Sequence, residues 1–143
     1  MIVMRWIALG ILSLALAACN VAIAADEEID TAPAMAAAEA WVAMVDRGNY
    51  GASWDAAAEI FRNGIERSKW ETTAVSIRGP LGLVHARKVR LANFTRTLPG
   101  APAGEYVVIQ FDTRFENRPL TTEIVTPMRE KDGSWRVAGY YIR

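Results

Sequence analysis

The residues of this chain most able to do chemistry are two carboxylates, one imidazole, a run of cations and a single thiol. Asp112 and Glu123 fall on consecutive strand-like segments. If pairing sets them opposite each other, two close carboxylates push one pKa up. An uncharged acid beside an ionised one can then do acid–base work. Arg114 would lie diagonally across and can neutralise them. Like charges facing across a sheet otherwise destabilise it, so the competing reading is a surface ion-pair network. His85 is the only histidine. An imidazole can act as a general base near neutral pH. No nucleophile or metal ligand stands at a useful spacing from it, and a structural role is the reading adopted. Arg78, His85, Arg87, Lys88 and Arg90 cluster within one short stretch. Such a cluster suits anionic lipid or another acidic partner. Alternation along a strand would split Arg87 from Lys88 and Arg90. The competing reading is an edge strand kept from aggregating by its charges.

The five tryptophans invite stacking on sugars. Trp41 and Trp70 fall on helical apolar stripes and Trp135 on a strand's apolar face, so core packing is the better account. Trp54 is the least constrained. One Cys and one His argue against a disulfide framework and a self-contained zinc site. No phosphate loop, dinucleotide fingerprint, nucleophile elbow or calcium loop is present. No cofactor, metal or catalytic residue is therefore expected.

The elements that must position these residues fit one domain of a 143-residue chain that is 52% apolar. Sixteen basic and sixteen acidic residues cancel, so the broad positive field that grips nucleic acid is missing.

Residues 1–18 read as an export signal. Arg5 is followed by an uncharged apolar run from Trp6 to Ala18, too short for a membrane span of about 20 residues. Leu16-Ala17-Ala18-Cys19 resembles the bacterial lipobox, in which the Cys thiol takes a diacylglycerol and becomes the new N-terminus. That makes Cys19 the expected lipid attachment point. Ala22-Ile23-Ala24 offers the alternative of ordinary cleavage after residue 24. Asn20, rather than Asp, after the cysteine points to the outer membrane. Acyl chains would anchor the protein at about 0.8 kcal/mol per buried CH₂. Residues 19–32, with Asp26, Glu27, Glu28 and Asp30, read as an acidic tether.

Residues 33–143 read as one α+β domain, helices first and strands after. Thr31 and Pro33 predict the start of a first helix with Ala34, Ala38, Trp41 and Val45 inward, ended by Gly48. Helices follow near 52–57, 58–65 and 69–77. The last carries a Ser68/Glu71 capping box, with Trp70, Ala74 and Ile77 inward. Strands are expected over 85–98, with a bulge near Ala92-Asn93, and over 105–116. Two more flank an Asp132-Gly133 hairpin turn. A turn at Asn117-Arg118 pairs Phe111 with Ile124, Phe115 with Leu120 and Asp112 with Glu123. The Asp132-Gly133 turn pairs Met128 with Val137 and Ile124 with Tyr141. Both hairpins then put Val107, Ile109, Phe111, Phe115, Leu120, Ile124, Met128, Trp135, Val137 and Tyr141 on one core face beneath the helices. The opposite face mixes Tyr106, Val108, Val125 and Tyr140 with charged residues. It is more apolar than solvation requires, and so a candidate partner or dimer surface.

The pattern as a whole carries a resemblance. Trp41 and Trp54 flank Gly48-Asn49-Tyr50, with Phe61 and Trp70 beyond. Leu98-Pro99-Gly100-Ala101-Pro102, the 105–111 strand and Asp132-Gly133-Ser134-Trp135 follow. Over about residues 35–143 this resembles a family of small exported bacterial proteins known only as a domain of unknown function. The order of elements also resembles the nuclear transport factor 2-like superfamily. That implies a cystatin-like cone of helices on one face of an antiparallel sheet of about four strands. The family brings no catalytic residues to carry over.

The function expected is a non-catalytic binding or interaction module of the cell envelope. It would be a lipoprotein facing the periplasm or, with the other cleavage, a soluble periplasmic domain. Its partner would be an envelope protein or a second copy. The alternative is a small enzyme of nuclear transport factor 2-like type with a ligand pocket between helices and sheet, which rests on fold analogy.

Overall fold

The computed structural model describes residues 28–143. Cys19, the export signal and most of the tether lie outside the described residues. Four helices precede four strands. Helix α1 (Ala32–Asp46) follows Thr31 and carries Pro33 in its first turn. Asp30 supplies the side-chain cap, its Oδ1 accepting the Ala32 N–H at 2.9 Å. Gly48, at φ +74°, turns the chain out of the helix. Helices α2 (Tyr50–Ala56) and α3 (Glu59–Gly64) are short.

Helix α4 (Arg67–Arg78) begins two residues before the expected start. The expected Ser68/Glu71 capping box does not form, because Glu66 is the N-cap and Ser68 lies inside the first turn; Glu71 pairs instead with Arg67 one turn back, at 2.6 Å. Its inward stripe is Trp70, Ala74 and Arg78, at strict four-residue spacing. Ile77, expected inside, is exposed.

Strands β1 (Val84–Thr95), β2 (Tyr106–Phe115), β3 (Arg118–Arg129) and β4 (Trp135–Ile142) form an antiparallel meander in chain order. Helix α1 lies mainly against β3 and β4. Its Ala34, Ala38, Trp41, Val42 and Val45 meet Val107, Ile109, Phe111, Val125 and Val137 in one core. Small alanines on the helix let the large sheet side chains fill the layer between.

The register of the central hairpin differs from the sequence reading by one residue. The turn is Glu116-Asn117, not Asn117-Arg118, since Phe115 pairs with Arg118. Both turn residues are tied to the segment after α4. The Glu116 N–H donates to Leu83 O at 2.8 Å, and the Asn117 N–H to Leu81 O at 3.0 Å. A shift between Thr113 and Phe115 then sets Phe111 opposite Glu123 and Asp112 opposite Thr122. Alternation therefore sends Thr121, Glu123 and Val125 inward and Leu120 and Ile124 outward. Asp112 and Glu123 are not a facing pair. Leu120 is 91% exposed and Tyr141 69% exposed, so neither joins the core. Ile124 and Met128 are only partly buried. The pairing of Ile124 with Tyr141 holds, but on the outer face.

Two further irregularities decide which way side chains point. The bulge in β1 falls at Arg90, between Val89 and Leu91, and not at Ala92-Asn93. In β3 the central strand contains Pro127, which has no N–H for the ladder, and the register shifts there. Val137 O, opposite Pro127, instead accepts the Ala58 N–H at 2.8 Å, which seats the α2–α3 junction on the sheet. The extra residue, Ala138, reverses parity in β4. Tyr140 consequently points inward against Trp41, with ring centroids 5.2 Å apart. Val125 is likewise fully buried in the core. Both therefore leave the expected partner face.

This register has a direct test. Leu120→Ala should change unfolding free energy by less than about 0.5 kcal/mol. Ile109→Ala should cost about 2–5 kcal/mol. Equal costs in denaturant titrations would restore the alternative register.

Candidate functional site

The titratable groups that the fold brings together are not those the sequence paired. Glu123 is 0% exposed, on the inner face of β3. Its Oε1 accepts from Thr113 Oγ1 at 2.5 Å, and from Arg87 Nε at 2.8 Å and NH2 at 2.7 Å. Its Oε2 accepts the Tyr140 hydroxyl at 2.5 Å. Arg87 reaches on from β1 to the last residue of α1. Its NH1 donates to Asp46 Oδ2 at 2.7 Å and its NH2 to Oδ1 at 3.0 Å. Arg78, at the end of α4, donates to Asp46 Oδ1 at 2.8 Å and lies over the Phe115 ring at 4.9 Å. Two carboxylates and two guanidinium groups thus neutralise each other at one end of the helix–sheet sandwich.

Each member is placed by a local rule. Asp46 sits at the C-terminal end of α1, where the helix dipole disfavours an anion, so it needs cations. Arg78 continues the Trp70–Ala74 stripe. Arg87 alternates with Lys88, which points the opposite way. The five-residue basic cluster is accordingly split three ways. Arg78 and Arg87 turn in, Lys88 and Arg90 turn out, and His85 is exposed at the start of the strand.

Burial works against ionisation of Asp46, but the hydrogen bonds and charges of Arg87 and Arg78 outweigh it and hold its pKa below the usual value. Burial likewise works against the Arg87 charge, and its two carboxylates more than reverse that. The Tyr140 phenol is pushed well up, first by burial and then by the Glu123 charge, against the pull of Arg78 and Arg87. It is a hydrogen-bond donor locked to Glu123, not a proton source near neutrality.

At its Glu123 end the cluster is closed, while Asp46 keeps 24% of its side chain exposed and the buried Arg78 Nε has no partner. No oxygen of Glu123 is open to solvent, and every one is engaged. Trp41, Trp70 and Trp54 are equally committed. Trp41 Nε1 donates to Ser53 O at 2.8 Å, Trp70 Nε1 to Ser53 Oγ at 3.0 Å and Trp54 Nε1 to Ile65 O at 2.8 Å. Trp41, Trp70 and Phe61 pack with Tyr140 into an aromatic group.

The outer sheet face carries the remaining candidates. Asp112 is half-exposed and paired with Arg90, whose Nε lies 3.1 Å from Oδ2. Tyr106 is covered by the 96–104 loop and donates to Pro102 O at 2.6 Å. Val108, Ile124, Tyr141 and the loop residues Leu98 and Pro99 line an apolar depression of about 370 Å³. Of the four expected partner-face residues, Tyr106 and Val108 lie on this side, with Tyr106 covered. Ile124 and Tyr141 take the places of Val125 and Tyr140. A second, open groove of about 680 Å³ lies near the β2–β3 hairpin. The sequence missed the Asp46–Arg78–Arg87–Glu123–Tyr140 cluster because its register placed Glu123 outside. The signals were an acid at a helix C-terminus and an arginine in step with two core residues.

The cluster sets both limbs of stability against pH. A depressed Asp46 pKa contributes stability above its unfolded value of about 3.9, which is lost as pH falls through the folded value. A raised Tyr140 pKa contributes stability below about 10, which is lost as pH rises through the folded value. The stability gap between wild type and Asp46→Asn should therefore narrow below about pH 4. That between wild type and Tyr140→Phe should narrow above about pH 10. Denaturation midpoints across pH check both, and gaps constant with pH would contradict the assignment.

The fold and this cluster can be set beside known proteins. No curated protein matches the chain. The family described as a protein of unknown function, DUF4019, matches residues 37–140, from α1 to β4. By that match over most of its length, the chain belongs to the DUF4019 family.

Proposed function

We propose that this protein is a non-catalytic binding module of the cell envelope, exported by its N-terminal segment and anchored through lipid on Cys19. The observation that carries the non-catalytic half is the closure of the Glu123 cluster. General acid–base chemistry needs a titratable group within hydrogen-bond reach of substrate. Here the carboxylate oxygens and the phenol are spent on one another and on arginines. A pocket-bearing enzyme on this fold would need that same interior open. What supports the binding half is the outer sheet face, where Val108, Ile124 and Tyr141 form an apolar depression on the side away from the helices. The envelope half rests on Arg5, the 6–18 apolar run and the small residues before Cys19.

The intact mass of the mature protein from its native membrane fraction tests this reading. A diacylated or triacylated chain beginning at Cys19 is the expected result. An unmodified chain beginning at Ala25 would overturn the lipid anchor.

A further inference from the structure

We infer that the hairpin end of the outer sheet face docks on an anionic bilayer surface. This goes beyond the Val108–Ile124–Tyr141 depression to a second place on the same outer face, and rests on the envelope location proposed above but not on acylation of Cys19. The groove near the β2–β3 hairpin is built by strand alternation. Lys88 and Arg90 leave the outer side of β1, Arg114 leaves β2 beside them, and Leu120 follows the turn on β3. Arg90 is held by Asp112. Lys88 and Arg114 are exposed and belong to none of the ion pairs among the described residues. Three cations against one carboxylate give this groove a local positive excess, in a chain whose charges cancel overall.

Leu120 decides the kind of partner. It is 91% exposed, directly among those cations. A purely ionic partner offers a leucine nothing. A bilayer offers phosphates to the cations and, just beneath, apolar matter to the leucine, the mixture that interfacial segments use. The groove is also open to solvent rather than enclosed, so it does not bury a small anion as a ligand pocket does.

The test is amide hydrogen exchange on the mature chain, without residues 1–18, mixed with vesicles. One set is phosphatidylcholine alone, and the other contains added phosphatidylglycerol. The expected result is exchange of the Arg118, Leu120 and Thr121 amides slowed about tenfold on the anionic set only, the order that one or two cations at a charged surface contribute. Lys88→Glu with Arg114→Glu should abolish the slowing, as should high salt, and Leu120→Ser should reduce it. All three positions are exposed, so these variants keep the fold, and unchanged exchange in β2 confirms it. Equal exchange on both vesicle sets would overturn the inference, as would slowing that survives the charge reversal. Slowing by a polyglutamate peptide but not by anionic vesicles would also overturn it, in favour of an acidic protein. None of these outcomes alters the mass of the mature chain, so failure here is distinguishable from failure of the lipoprotein reading.

Discussion

One guanidinium joins three parts of this fold. Arg87 leaves the edge strand β1, binds Glu123 on β3 and spans to Asp46 at the end of α1. Helix α1 packs mainly against β3 and β4, and from β1 only Ala92 and Phe94 pack against the core. A buried charge that loses its partner is costly, typically about 3–5 kcal/mol. The pairing therefore dictates where β1 may sit and which face of β3 must turn in. Arg78 and Tyr140 complete the neutralisation and connect it to the aromatic group around Trp41.

The same constraint shapes the surface. With Glu123 and Thr121 facing inward, Leu120 and Ile124 must face outward. An apolar and basic outer face is thus the counterpart of a polar patch in the core. One fold can host many functions, and a pocket between helices and sheet would need that space open. In this chain the hydrogen bonds that stabilise the fold occupy that space. The exposed side of the sheet carries the apolar depression and the basic groove.

Much of this was legible in the sequence. Helical spacing in α1 and the Gly48 stop were readable. So were the change from alanine-rich helices to β-branched strands and the Asp132-Gly133 turn, because each rests on local chemistry. The hairpin register was not. Asn117-Arg118 is an acceptable turn, and the slip it implies gathers Leu120, Ile124 and Met128 into a consistent apolar face. Long-range bonds from Glu116 and Asn117 to the segment after α4 shift the turn by one residue, and no local pattern announces them. Apolar patterning assumes an apolar core, and half of the inner face of β3 is polar. The sequence reading pairs Asp112 with Glu123 across the outer face, but Asp112 belongs to the surface and Glu123 to the core. Val125 and Tyr140 moved inward for the same two causes, the register and the bulge that Pro127 imposes.

The central claim is that the Arg87–Glu123 pair holds the sandwich together and closes its interior. A double-mutant cycle on folding stability tests it most directly, using Arg87→Met, Glu123→Met and the two combined. The account predicts that each single change is severely destabilising and that the double change costs far less than their sum, with a coupling of about 3 kcal/mol or more. Costs that add to within about 0.5 kcal/mol would mean that the two side chains do not depend on each other, and would contradict it.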